Sequence, residues 1–548
     1  MLAIVLVCSC VCFIVAYRVY GRFLDRRFAI DNDRPTPAHT MPDGVDYVPA
    51  RAPVLLGHHF SSISGAGPIV GPIIAAAAFG WAPVLAWIVV GSIFVGGVHD
   101  YASLTASIRY GGRSIADVAR EVISPTARRL FLAFVWLALV YILVVFVDLT
   151  ARTFVSSGGV ATSSLLYIGL AVLFGWILHR TGIGLAAASI VFVPLLFLGI
   201  YLGRLAPIPP DALPALFGDP GKTWAVLLVG YCFVASVTPV WALLQPRDYL
   251  SSFLLYACVL AGVGGLLLGG LPARYPAFVA WTGEAGAVFP FLFITVACGA
   301  VSGFHSLVAS GTSSKQLNCE RDARRIGYGS MLLEGVVAVM ALSAVMLVGR
   351  DDPILGRQPL AVFAAAMGRF FAALHLPAAA GEHFGFLAVS TFILTTLDTA
   401  TRIGRYVLQE LLGFRGASGR ALATVATLAL PAVLVLVTLH DDAGAAVPAW
   451  KLVWPVFGAT NQLLATLAFL VVFAWLGRSG GGRFFVAAPT LFMLAVTLTG
   501  LGILVMRFGG RPVGVAAVVL FILAVVLVVE AVRTAFRERG AAAVRARS

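Results

Sequence analysis

Three histidines in apolar surroundings offer the most chemistry in this chain. His58 and His59 stand in LLGHHFSSISGAGPIVGP, and His305 in SGFHSLVASGTSSKQ. An imidazole titrates near neutral pH, so it suits proton transfer coupled to a change of shape. Asp100 follows His99 in GGVHDYASL, a carboxylate in a similar setting. Ionisable groups within a membrane are costly and read as functional by default. Ser310, Thr312 and Ser313, just after His305, add hydroxyls near the same place. The histidines lack the local spacing of a metal site. Each also reads as a hydrogen-bonded structural residue.

A second kind of chemistry needs only backbone. Ser62, Ser64, Gly65, Ala66, Gly67 and Pro68 precede Gly71 and Pro72. Proline removes a donor and clashes with the preceding turn, and glycine admits close backbone approach. A helix opened there exposes carbonyls, amides and a positive half-helix end that suits a carboxylate. ASVTPVWALLQPRD holds a comparable cluster: Ser236, Thr238, Pro239 and Trp241, with Pro246 beyond. A kink for packing is the alternative at either place.

These residues must be positioned by membrane helices. The 548-residue chain is 60% hydrophobic and 11% charged, with a mean hydropathy of +0.96. A soluble chain is nearer one half apolar and one quarter charged. Runs long enough to cross a bilayer fall near 2–20, 53–79, 81–108, 128–149, 163–179, 183–203, 223–246, 249–271, 287–310, 327–348, 384–411, 419–439, 452–476, 484–506 and 512–536. With the N-terminus outside, this layout of fifteen helices places about three quarters of the 38 Lys and Arg in loops on the cytoplasmic side, as the positive-inside rule requires. The net charge of +13 therefore reads as topology, not nucleic-acid binding. Met1–Tyr20 lacks a basic n-region and a cleavage site, so it reads as a retained helix. The loop 349–383 contains PLAVFAAAMGRFFAALHLP, either an interfacial or re-entrant helix over the outer mouth or a packed surface loop.

Helix arithmetic then suggests an inverted repeat. After the N-terminal helix and linker (1–52) come five helices over 53–203 and five more over 204–350. Odd sets run in opposite directions, and in such transporters the first helix of each set is broken at mid-membrane. The breaks expected here are at Gly65–Pro72 and at Pro239. In that arrangement His58, His59 and His305 share one depth. A C-terminal five-helix module (384–536) and a basic tail (537–548) follow. Asp398 precedes Arg402 and Arg405 at i+4 and i+7, which reads as an ion pair within one helix. Asp148 and Glu334 lie in or at the ends of helices. Asn461 and Gln462 read as helix–helix glue or as pathway lining. GDPGKT at 218–223 lacks the spacing of a phosphate-binding loop, and no enzyme signature is present.

The stretches GHHFSSISGAGPIVGP, TPVWALLQPRDYL, SGFHSLVASGTSSKQL, ERDARRIGYGSMLLE, LDTATRIGRYVLQELLG and WPVFGATNQLLA resemble the carbon starvation protein A (CstA) family. The resemblance runs over about residues 1 to 510. It implies an all-α polytopic protein of the bacterial inner membrane, with a 5+5 inverted repeat of the LeuT/APC type. It also implies a secondary transporter taking up peptides, or pyruvate with protons, under carbon starvation.

The expected function is import of a short peptide or small carboxylate, driven by protons and without a cofactor. Ser62–Pro68 and Ser236–Trp241 would contact the substrate. His58, His59, His305, Asp100, Ser310 and Thr312 would couple the ion. The alternative is a membrane sensor or regulatory subunit that binds such a ligand without moving it.

Overall fold

The computed structural model describes residues 1–209, 212–283, 286–440, 446–478, 483–510 and 512–545. Among these, thirteen helices are long and apolar enough to cross a membrane, and fourteen if one bent pair is counted as a span. In chain order they begin with α1 (Leu2–Arg27), the bent pair α2 (Ala52–Ile63) and α3 (Gly67–Phe79), and α4 (Trp81–Arg109). A short helix α5 (Ile115–Val122) leads to α6 (Pro125–Ser156), α7 (Gly158–Thr181), α8 (Leu185–Leu205), α9 (Pro220–Val237) and α10 (Leu244–Leu268).

The next segment is helical in pieces: α11 (Val288–Thr295), α12 (Ala297–Ala300) and α13 (Gly303–Val308). A π-helical turn at Ala309–Ser313 and a last turn at Ser314–Gln316 extend α13. Then come α14 (Arg324–Met346), the shorter α15 (Pro359–Ala373), α16 (Ala378–Leu412), α17 (Gly416–Leu436), α18 (Ala449–Arg478), α19 (Phe484–Phe508) and α20 (Pro512–Arg545).

Local chemistry sets many of these ends. Ser124 caps α6 by accepting from the Ala127 amide, with Pro125 in the first turn, where its missing N–H costs nothing. Asp219 caps α9 in the same way through Gly221. Gly182 and Gly413 close α7 and α16 with φ of 67° and 75°, a conformation only glycine adopts without strain.

Burial sorts the helices into a core and a rim. The most apolar stretch of α16 is 94% buried and that of α14 89%, against 22% for α8 and α20. The rim helices turn large apolar side chains such as Ile190, Leu268 and Met506 outward. A ring of exposed apolar surface around a packed interior is what lipid demands. The chain is a multi-pass membrane protein.

Three sequence expectations need correction. The run expected as one helix over 223–246, broken at Pro239, is two helices joined by a turn at 238–243. Proline disfavours helix in the residue before it, and Thr238 is extended at ψ 144°. The interruption of a helix in this half lies instead at Val301 and Ser302, both extended. Finally, Asp398 does not pair with Arg402 or Arg405; its partners are Arg247 and Tyr231. The loop 349–383 does hold a helix, α15, which packs on α16, α10 and α3.

Candidate functional site

The break between α2 and α3 bends the chain by 40° at residues 64–66. Glycine and proline make it: Gly65 and Gly67 lack Cβ atoms, and Pro68 and Pro72 follow. A Cβ on Gly65 would come within 2.8 Å of the Thr396 hydroxyl, and one on Gly67 would overlap the Cys298 side chain. Cys298 belongs to α12, which ends at the second break, so the two interruptions face each other in the core. Thr396 donates from α16 to the Ser62 carbonyl at 3.0 Å.

The second break contains no proline. Asn461 of α18 holds it open. Its side-chain oxygen accepts the Phe304 amide at 2.9 Å and the Ser302 hydroxyl at 3.2 Å, which caps α13 from a distant helix. The Ser64 hydroxyl at the first break is buried with no partner. A cavity of about 290 Å³ reaches this junction, lined among others by Gly67, Cys298, Asn461, Trp454 and Arg507. Half-helix starts, small residues and an unfilled hydroxyl can receive a carboxylate and a short polar substrate.

Two polar networks flank the breaks. In the first, His58 Nδ1 lies 2.5 Å from Asp248 Oδ2 and its Nε2 3.2 Å from Thr312 Oγ1. A carboxylate accepts, so Nδ1 carries a proton. Asp248 also accepts from Arg247 at 2.8 Å, and Arg247 pairs with Asp398. Tyr231 donates to Asp398 at 2.6 Å. Ser62 joins at 3.0 Å from Thr399. All three charged groups are buried.

In the second network, Asp100 takes His99 Nδ1 on one oxygen at 2.8 Å and His305 Nδ1 on the other at 2.9 Å. His305 Nε2 points to Glu334 Oε2 at 3.3 Å. His59 Nδ1 lies 2.8 Å from Ser313 Oγ, and its Nε2 has no partner.

The expected ion-coupling residues thus divide. His58 meets Thr312, His59 meets Ser313, and His305 meets Asp100. Ser310 stands apart, donating to the Ser306 carbonyl and accepting the Ile115 amide at the start of α5.

The expected second substrate cluster lies elsewhere. Ser236 is buried with its hydroxyl 3.2 Å from that of Thr424. Thr238 gives its carbonyl to Arg402, and the Val240 amide bonds to the Val45 carbonyl. Pro239 lies in the turn between α9 and α10, and Trp241 stacks on His179 at 3.9 Å. These four therefore line the linker end of the protein, away from the paired breaks.

That end is tied by Asp46. It accepts from Arg402 at 3.0 Å, from Arg405 at 3.2 Å and from Tyr406 at 2.6 Å. Burial pushes its carboxyl up, but Arg405, Arg402, Lys315 and the Tyr406 hydroxyl together hold it well below the usual carboxylate range.

The sequence reading gave no role to Asp248, Arg247, His99 or Glu334. Arg247 follows a proline and read as a loop cation, though it is fully buried. Glu334 was readable as the single carboxylate in SMLLEGVVAVM. Among the described residues, no group of three or more His, Cys, Asp or Glu is arranged to hold a metal ion.

The architecture, an all-α membrane bundle around paired helix interruptions, is that of LeuT-type transporters. A crystal structure of MhsT in complex with L-phenylalanine aligns over 87% of this chain and 98% of its own, with a TM-score of 0.50 and 14% identity, a likeness of fold alone. The family model for carbon starvation protein CstA matches residues 1–354 and 348–500, and the chain belongs to that family. The peptide transporter CstA of Escherichia coli is 34% identical over 90% of this chain and 80% of its own. That of Bacillus subtilis is 32% identical, over 86% and 84%. The pyruvate/proton symporter BtsT of Escherichia coli is 32% identical, over 85% and 76%.

Proposed function

We propose that this chain is a proton-coupled secondary transporter that imports a small carboxylate-bearing substrate, pyruvate or a short peptide. The observation that carries the reading is the meeting of two helix breaks in the core, next to buried histidine–carboxylate pairs. The names of its relatives, peptide transporters and a pyruvate/proton symporter, support the substrate class.

Substrate binds between Ser64–Gly67 and Val301–Gly303. Its carboxylate faces the starts of α3 and α13, where partial positive charge collects. His58, with Asp248, and His305, with Asp100, flank that place and change charge with the cycle. Alternating access then rocks one set of helices against the other around the fixed site.

Packing supports a revised repeat register. The first unit is α2/α3, α4, α6, α9 and α10; the second is α11–α13, α14, α16, α17 and α18. In the first, α6 packs on α9, and α2 on α10; in the second, α16 packs on α17, and α13 on α18. The contact of α3 with α14 is matched by that of the π turn after α13 with α4. The hairpin α7–α8 is then an insertion, and the repeats are not divided at 203 and 350. Counting α11–α13 as one broken span gives fifteen. The N-terminus lies outside and the C-terminus in the cytoplasm of the bacterial inner membrane.

The test is uptake into proteoliposomes with an acidic exterior, using pyruvate, lactate, single amino acids and dipeptides. Saturable, gradient-dependent accumulation of pyruvate or dipeptides is expected. Binding of these compounds with no flux would overturn the transport reading.

A further inference from the structure

Glu334 has no role in the mechanism above, and its surroundings are unusual. It lies in α14, fully buried, in an otherwise apolar run. Neither carboxylate oxygen makes a hydrogen bond. His305 Nε2, itself without a hydrogen bond, lies 3.3 Å from Glu334 Oε2. A buried carboxylate that is only structural ordinarily has its oxygens filled.

We propose that Glu334 is the group that binds the transported proton, with His305 passing it on. This deepens the transporter reading above and rests on it.

Charge balance leads to this assignment. Asp100 is well satisfied as an anion, since His99 and His305 both approach it through Nδ1. With its Nδ1–H given to Asp100, a neutral His305 leaves Nε2 unprotonated and facing Glu334. An ionised Glu334 then puts a second negative charge near that of Asp100 in a dry place, unfilled by hydrogen bonds, which is costly. A proton on Glu334 removes that charge. The same proton on His305 Nε2 is one short transfer away, so the pair forms a two-position relay.

The groups facing this pair from neighbouring elements are few. His99 and Asp100 come from α4 and His59 from α2. Cys298, on α12, is within electrostatic reach of Glu334. Cys298 is also the residue that a Cβ on Gly67 would overlap, so Glu334 sits one layer behind the paired breaks. Position supplies the coupling. A substrate carboxylate entering the breaks and an ionised Glu334 one layer behind them are like charges in the same low-dielectric core. The substrate anion is accommodated when Glu334 has become a carboxylic acid, so the anion and the proton enter together. Release reverses the order: opening admits water, the proton leaves Glu334, and the restored negative charge expels the substrate.

Glu334→Gln keeps the shape and fixes the neutral state. Two measurements on purified, monodisperse protein test the assignment. The first is transport in proteoliposomes with pyruvate and with alanyl-alanine. The variant is expected to keep substrate counterflow within about twofold of the parent and to lose accumulation driven by a pH gradient, at least tenfold. Its counterflow is expected to show a flattened pH dependence. The second needs no transport: infrared difference spectra between acid and alkaline buffer. The parent should show a carboxylic-acid carbonyl band that Glu334→Gln lacks. Gradient-driven accumulation equal to the parent's would overturn the proposal, as would an unchanged infrared band. Loss of counterflow together with accumulation would overturn it too, by marking Glu334 as structural. If the parent moves neither probe, the transporter reading fails, while the infrared band still decides whether Glu334 binds a proton.

Discussion

Arg247 joins two carboxylates in the buried interior, Asp248 at 2.8 Å and Asp398 on another helix. Breaking a buried ion pair from one side leaves an uncompensated charge and costs about 3–5 kcal/mol. Arg247→Met is therefore expected to lower the thermal unfolding midpoint in detergent markedly. Adding Asp398→Asn should recover part of that loss, because the orphaned charge goes with it. A double variant no more stable than Arg247→Met would show that the pair is not linked in this way. The sequence made some residue contacts legible. The assumed repeat put His58, His59 and His305 at one depth with Ser310, Thr312 and Ser313 near them as a group; in the structure His58 meets Thr312 and His59 meets Ser313. Arg247 was not legible, since a cation after a proline between apolar runs looks like a topology marker. Asp398 misled for a related reason. Spacing along one helix suggested Arg402 and Arg405, but those cations point to Asp46, far away in sequence.

At the scale of elements, the first break was legible because glycine and proline encode it locally. The second was not. ACGAVSGFHS carries no proline, and its interruption depends on Asn461 capping α13 from α18. A tertiary contact of that sort leaves only a weak local trace. The pairing of the breaks gives a prediction. Gly67→Val puts a branched side chain where Cys298 lies, an overpacking that costs about 1–3 kcal/mol. The expected result is protein of near-normal yield with uptake reduced about tenfold or more. Full uptake would mean that the breaks need not touch.

The Asp46 tie makes a pH prediction for the linker. Its carboxyl is lowered in the folded protein from an ordinary 3.8. Its ion pairs thus stabilise fully above that ordinary value and fade as pH falls through the lowered one. Asp46→Asn should reduce the unfolding midpoint by a constant amount from neutral to mildly acidic pH, with the difference shrinking below 3.8. A difference that vanished already at neutral pH would contradict the tie.

For the whole molecule, composition and the uneven placement of arginine were enough to read a polytopic membrane protein. The family was legible in motifs, because those motifs are the residues of the breaks and networks themselves. In the repeat register proposed above, the hairpin α7–α8 is an insertion, and hydropathy alone does not distinguish such a hairpin from a repeat member. The direction of every span depends on the helix count. A phosphatase reporter fused after Arg545 is expected to be inactive and a fluorescent one bright, with the C-terminus in the cytoplasm. The opposite pair of results would invert the topology.

The central claim, that substrate and protons move together through this site, is tested most directly in one vesicle experiment. Proteoliposomes carrying an internal pH dye are placed in acidic medium with pyruvate or alanyl-alanine, and uptake and lumenal pH are followed together. The account predicts substrate accumulation above the external concentration, with lumenal acidification that requires the substrate. Substrate entry that only equilibrates, with lumenal pH independent of its presence, would contradict it.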